Sequence, residues 1–144
     1  MGAPLTRQIP SKESQLCDPV KGLFSPAEYD VKHEAPFGLK RIDLFFWRRK
    51  GKPELVAVEL KLRNWRSAVW QAVHNRQVAT RSYVALPAKS VGAVDTEILR
   101  SLGLGLISVD MKDARIVLQA KRSLVFNARV ARTVLANVRR GHHV

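Results

Sequence analysis

Two apolar runs, Ile42-Asp43-Leu44-Phe45-Phe46-Trp47 and Leu55-Val56-Ala57-Val58-Glu59-Leu60-Lys61-Leu62, limit what this chain can fold into. A short basic turn joins them. Each reads as a buried strand, yet each carries ionisable groups where the pattern predicts hydrophobes. Asp43 stands just inside the first run, and Glu59 and Lys61 end the second. Successive strand residues point to opposite faces, so Glu59 and Lys61, two apart, share a face. A carboxylate or an ammonium beside a sheet is costly unless it is paired or bound to a metal. The alternative to a functional cluster is a set of plain ion pairs, Glu59 with Lys61 and Asp43 with Arg41.

The chain has 144 residues, the length of one domain able to bury a core without staples. We expect a single domain over residues 1–144, with residues 1–10 a flexible arm and 123–140 a C-terminal basic helix. Its one cysteine, Cys17, rules out an internal disulfide and fits a reducing, cytoplasmic setting. No apolar run approaches the ~20 residues needed to span a bilayer, so no membrane partner is expected. Residues 1–10 also lack the apolar segment of a secretory signal.

Charge narrows the partner. Lys and Arg number 25 against 12 Asp and Glu, a formal net charge of +13. The excess is uneven: no acid lies between Leu60 and Val94, and none follows Asp113. Such a field favours a polyanion, and nucleic acid is the commonest one in cytoplasm; anionic lipid is the competing reading.

Read in order, Ser11 caps a short helix that runs to about Lys21, limited by Pro19 and Gly22. Tyr29–Ala35 is a strand, turned by Pro36–Lys40 into a second strand over 41–48. A symmetric turn would set Glu34 opposite Asp43, on the same side of the sheet, unless Glu34 pairs with Lys40 or Arg41. Arg48, Arg49, Lys50 and Lys52 form a basic hairpin loop, either tracking a phosphate backbone or simply solvated. Leu55–Leu62 is the third strand. Asn64 then caps a helix from Trp65 to about Arg81, with Trp65, Val69, Ala72, Val73 and Ala79 as its buried stripe. A second stripe, Ser67, Gln71, Asn75 and Val78, is oddly polar for a helix beside a sheet. A third carries Arg66, Trp70, His74, Gln77 and Arg81, suited to phosphate contact and base stacking, although core packing is the usual role of a residue such as Trp70. Arg63, just before the helix, belongs to the same basic group.

The remaining elements are a strand over 82–86, a helix over 95–102 with Gly103 as its C-cap, a strand over 105–109 and an edge strand over 115–120. A last helix over 123–140 has Leu124, Ala128, Ala131, Leu135 and Val138 as its apolar stripe. The alternation predicts an α/β fold, a central mixed sheet of four to six strands flanked by helices, with the Glu-x-Lys strand in the middle.

At Arg41-Ile42-Asp43-Leu44, Val58-Glu59-Leu60-Lys61, Gln71 and Ser82–Pro87 the sequence resembles the PD-(D/E)XK nuclease superfamily, whose fold is restriction-endonuclease-like. The likeness covers roughly residues 28 to 110. Arg41-Ile42 stands where the family name has Pro before Asp. The resemblance implies a Mg²⁺-dependent nuclease, with Mn²⁺ substituting. Asp43, Glu59 and the Leu60 backbone carbonyl would hold the metal. Lys61 would polarise the attacking water and Gln71 would orient water or phosphate. Glu34 and Glu13 are auxiliary-acid candidates, Glu13 because the fold carries an N-terminal helix that can supply an acid; a solvated surface role is its plainer reading. A hard divalent cation on carboxylates suits phosphodiester hydrolysis, because it activates water and neutralises phosphoryl charge. DNA is the expected substrate, ahead of RNA, cut in a structure-directed or weakly sequence-specific way, and a homodimer would suit two-strand cleavage. The alternative function is a non-catalytic nucleic-acid-binding or scaffold module on the same fold.

Overall fold

The computed structural model describes residues 10–142; the N-terminal arm expected over residues 1–10 lies almost wholly outside them, as does His143 at the C-terminus. A 3₁₀ turn, Glu13–Leu16, leads into α1, Cys17–Lys21. The strands β1 (Tyr29–Phe37), β2 (Lys40–Arg48) and β3 (Leu55–Leu60) follow, then α2 (Trp65–Asn75), β4 (Arg81–Pro87), α3 (Ala88–Val91), α4 (Thr96–Leu102), β5 (Gly105–Val109), β6 (Ala114–Leu118) and α5 (Ala128–His142). The strands form one six-stranded sheet in chain order, from β1 to β6. The fold is α/β with a mixed sheet and flanking helices, as the alternation of elements predicts.

Connection length decides each pairing. Short turns holding Gly38 (φ 62°) and Gly51 (φ 85°) make β1, β2 and β3 an antiparallel meander. Longer links through α2, and through α3 and α4, make β3, β4 and β5 parallel. A tight turn, with the Asp110 carboxylate accepting from the Lys112 and Asp113 amides, returns β6 antiparallel to β5.

The sheet is buried on both faces at its centre. Phe45, Trp47, Leu55 and Ala57 pack against Ala131, Val134 and Val138 of α5. Next to them Val84, Leu86 and Leu106 pack against Trp65, Val69 and Ala72 of α2. On the other face Leu44, Phe46, Val58, Tyr83 and Ile107 meet Leu16 and Val20. Every residue of β3 is therefore buried, which is why its sequence reads as a continuous apolar run and why a carboxylate in it stands out. Among the described residues no helix is long and apolar enough to cross a membrane.

Several boundaries differ from the sequence reading. Helix α2 stops at Asn75, where the bonding tightens to i+3: the Arg76, Gln77 and Val78 amides donate to the Val73, His74 and Asn75 carbonyls, in a turn that buries Val78 and Ala79. Arg81 therefore opens β4 instead of closing the helix. Asn64 has a left-handed φ of 54° and makes no side-chain cap. Ser11 does not cap either; Gln15 Oε1 accepts from the Ser11 and Lys12 amides at 2.8 and 3.1 Å. The last helix begins at Ala128 because Asn127 Oδ1 accepts from the Arg129 and Val130 amides, both at 3.1 Å. Ser123 instead ties back to the Thr80 and Arg76 carbonyls, and Leu124, expected in the apolar stripe, is fully exposed.

One close approach tests the packing. A Cβ on Gly105 would lie 2.3 Å from the ring of the buried Tyr83 and 2.7 Å from the Ala120 nitrogen. Gly105→Ala should destabilise the protein by about 1–3 kcal/mol in urea unfolding. Gly92→Ala, with nothing within 4 Å of the new methyl, should be neutral or stabilising by up to about 1 kcal/mol.

Candidate active site

The β2–β3 ladder ends at the pair Leu44–Val58. One step further the strands part, and Asp43 and Glu59 are the next residues in register. The Leu60 amide, left without a β2 carbonyl, donates to Asp43 Oδ2 at 2.8 Å. The Asp43 and Glu59 carboxyls lie close enough together for each to perturb the other's titration. On the other side of β2 the ladder passes from His33–Leu44 to Ala35–Ile42, and Glu34 between them takes a left-handed φ of 52°. Asp43 thus sits in a notch where both neighbouring ladders are interrupted, and its carboxyl accepts from an amide that a regular sheet would have used up.

Glu59 is 3% exposed. Asn75 Nδ2 donates to Glu59 Oε2 at 2.8 Å, fixing the carboxyl from the helix side. Burial, and next the charge of Asp43, push the Glu59 carboxyl from 4.5 up to about 8. Asp43 is also raised, chiefly by burial and further by the charges of Glu13 and Glu34, against the Leu60 hydrogen bond. Two carboxyls this close resist sharing two negative charges unless a proton or a cation joins them.

An open cleft of ≈ 100 Å³ lies over the pair. Lys61 enters it from the end of β3, Ser67 and Gln71 from successive turns of α2, and Glu13 from the 3₁₀ turn. The sequence-derived set Asp43, Glu59, Leu60, Lys61 and Gln71 therefore lines one cavity, with Glu13 as an added acid. Glu34 stands level with Asp43 in register but is not among the lining residues. Its carboxylate faces solvent and pairs with Arg41 at 3.7 Å. Asn75 is the residue the sequence reading passed over. It lies on the same polar stripe as Ser67 and Gln71, four residues further on, so its signal was present in the helical spacing.

The basic candidates divide. Lys50 and Lys52 are exposed, but their hairpin joins the far ends of β2 and β3, at the opposite end of the sheet from Glu59. Arg48 is occupied by the Tyr29 hydroxyl at 3.0 Å and the Lys52 carbonyl at 3.2 Å. Arg49 pairs with Asp30 at 2.8 Å. Arg81, also at the far end, reaches the Ala120 carbonyl and pairs with Glu54 at 3.6 Å. His74 stacks on Phe37 with centroids 4.5 Å apart. These four side chains serve the fold. Arg63, Arg66 and Trp70 remain at the surface: Arg66 lies over the Trp65 ring at 4.4 Å, and Trp70 is 74% exposed, not core.

Among the described residues no group of three or more His, Cys, Asp or Glu is poised to hold a metal. The donor set nevertheless fits Mg²⁺, which prefers one or two carboxylates and keeps several waters. Asp43 and Glu59 are hard oxygen donors in contact, and a cation between them would relieve their mutual repulsion.

No family model and no curated protein matches this sequence. A solved structure, a protein of unknown function from Silicibacter pomeroyi, is similar with a TM-score of 0.55 at 22% identity, over 79% of this chain and 77% of that one. At that identity the likeness shows the fold alone.

A pH prediction follows from Glu59. Its folded pKa is raised, so the stability it gives is full below 4.5 and is lost as pH rises through about 8. Metal-free protein should weaken over that window in urea unfolding, and Glu59→Gln, which cannot ionise, should flatten the fall.

Proposed function

We propose that this chain is a Mg²⁺-dependent nuclease of the PD-(D/E)XK type that hydrolyses DNA phosphodiester bonds. The observation that carries the reading is the contact of two carboxyls, Asp43 and Glu59, in a cleft that Lys61 and Gln71 also line. A binding-only module has no use for this pair, because acids beside a phosphate backbone oppose association.

Asp43 and Glu59 would hold the cation, with the Leu60 carbonyl as a further oxygen donor. Mg²⁺ bound there supplies neutralising charge to the phosphoryl oxygens and lowers the pKa of a water. The chain's own groups do the rest. Asn75 keeps one Glu59 oxygen engaged, so that the carboxyl cannot rotate freely in the cleft. Leu60 does the same for Asp43 Oδ2. Lys61, on the same face as Glu59 and two residues on, places a positive charge where negative charge develops on the phosphate. Gln71 and Ser67, one helical turn apart, offer hydrogen bonds that orient phosphate or water. Arg66 and Trp70 are exposed on α2, each immediately before a residue that lines the cleft, Ser67 and Gln71. An exposed indole next to a guanidinium gives a stacking surface for a splayed base and a partner for its phosphate. Glu13 lines the cleft with the two carboxyls and would serve as a base or an extra ligand.

The test is cleavage of labelled linear, circular, single-stranded and branched DNA with Mg²⁺ or Mn²⁺. Wild type should give metal-dependent products, and Asp43→Asn and Lys61→Ala should each lower the rate by about 100-fold or more. Wild type that binds every substrate and cuts none would hand the fold to the binding-module alternative. Cleavage that survives both substitutions would show that the site lies elsewhere.

A further inference from the structure

At the other end of the sheet lies a second cavity, of ≈ 270 Å³, where the C-terminal ends of α2 and α4 meet the segment that follows β6. Its charged lining is entirely basic: Arg76, Arg100, Lys121 and Arg122. Arg76 is pinned, with Nε on the Val73 carbonyl at 3.1 Å and Nη1 on the Leu102 carbonyl at 2.9 Å. Its guanidinium is therefore preorganised by two helix ends. Among the described residues neither Arg76 nor Lys121 has a carboxylate in ion-pair reach, Arg122 has only a loose one to Glu54 at 3.8 Å, and the partner of Arg100, Glu97, lies on exposed helix surface.

Arg and Lys side chains donate and never accept, so a ligand here must bring acceptor oxygens and negative charge. Planar guanidinium forks match phosphate better than a monatomic anion, and the cavity exceeds what such an anion fills. Leu124, fully exposed, and Leu102 add an apolar wall on which a sugar can lie. Helix α2 joins the two sites: Ser67 and Gln71 line the catalytic cleft and Arg76 follows its last residue. Arg76 lies five residues beyond Gln71 and nine beyond Ser67, about 8–14 Å at 1.5 Å each, roughly two to four nucleotides of one strand at 3.4 Å.

We propose that this cavity anchors a backbone phosphate of the bound nucleic acid, about two to four nucleotides from the bond held in the cleft. The inference rests on the nucleic-acid half of the proposed function and not on cleavage. Binding measured without metal therefore separates its failure from failure of the catalytic reading.

Arg100 and Lys121 are exposed and carry no packing, so the double variant Arg100→Gln/Lys121→Gln should fold. The matched control is Lys112→Gln/Arg115→Gln, exposed residues that line neither cavity. For a metal-free oligonucleotide, the cavity variant should bind about tenfold more weakly, with a log–log salt slope shallower by about two. The control should change much less. In wild type, the oligonucleotide should shift the amide resonances of Gly103 and Lys121. Equal losses in the two double variants would mean that only the general field acts, and would overturn the site. Amides that move with tripolyphosphate but not with oligonucleotide would overturn the strand as the source of the phosphate. Displacement of the oligonucleotide by poly-glutamate at equal charge would overturn phosphate selectivity.

Discussion

The contact between the carboxyls of Asp43 and Glu59 is the constraint around which the rest of the site is arranged. It exists because the β2–β3 ladder stops one residue short of them, leaving the Leu60 amide to Asp43. It persists because β3 is buried on both faces and Asn75 reaches down from α2 to hold Glu59. Among the described residues no ion pair reaches either acid, and burying an acid pair so is costly. A divalent cation between the two oxygens would offset that cost. The left-handed Glu34, opposite Asp43 on the other side, shows that the backbone around this point is held in a conformation that non-glycine residues rarely adopt.

Much of this was legible in the sequence because it follows from strand periodicity. Asp43 and Glu59 interrupt apolar runs, and a short hairpin leaves little freedom in how those runs pair. Lys61 shares a face with Glu59 by period two alone, and Gln71, on the polar stripe of α2, was singled out by the family resemblance. Depth was not legible. Helical spacing groups Ser67, Gln71 and Asn75, but only the placement of α2 against β3 buries Asn75 onto Glu59 and leaves Trp70 in solvent. The entry of Glu13 into the cleft depends on how the N-terminal segment folds over the end of the sheet.

The basic residues show the same limit. Arg49 finds Asp30 nineteen positions away, and Arg81 finds the Ala120 carbonyl thirty-nine away. Nothing local marks these side chains as structural, so counting charges overstated the surface free to meet a polyanion. What remains after those pairings is more informative than the net charge. One group, Arg63, Arg66 and Trp70, is exposed on and just before α2, and another, around Lys121, lies beyond the far end of the same helix. A strand crossing α2 would meet both.

The central claim is that Asp43 and Glu59 together form a divalent-cation site. A calorimetric titration of Mn²⁺ into the protein tests it without any substrate. The account predicts one saturable site per chain, lost in Asp43→Asn and in Glu59→Gln and retained in Lys61→Ala. Absence of saturable binding to wild type, or binding that both carboxyl variants keep, would contradict it.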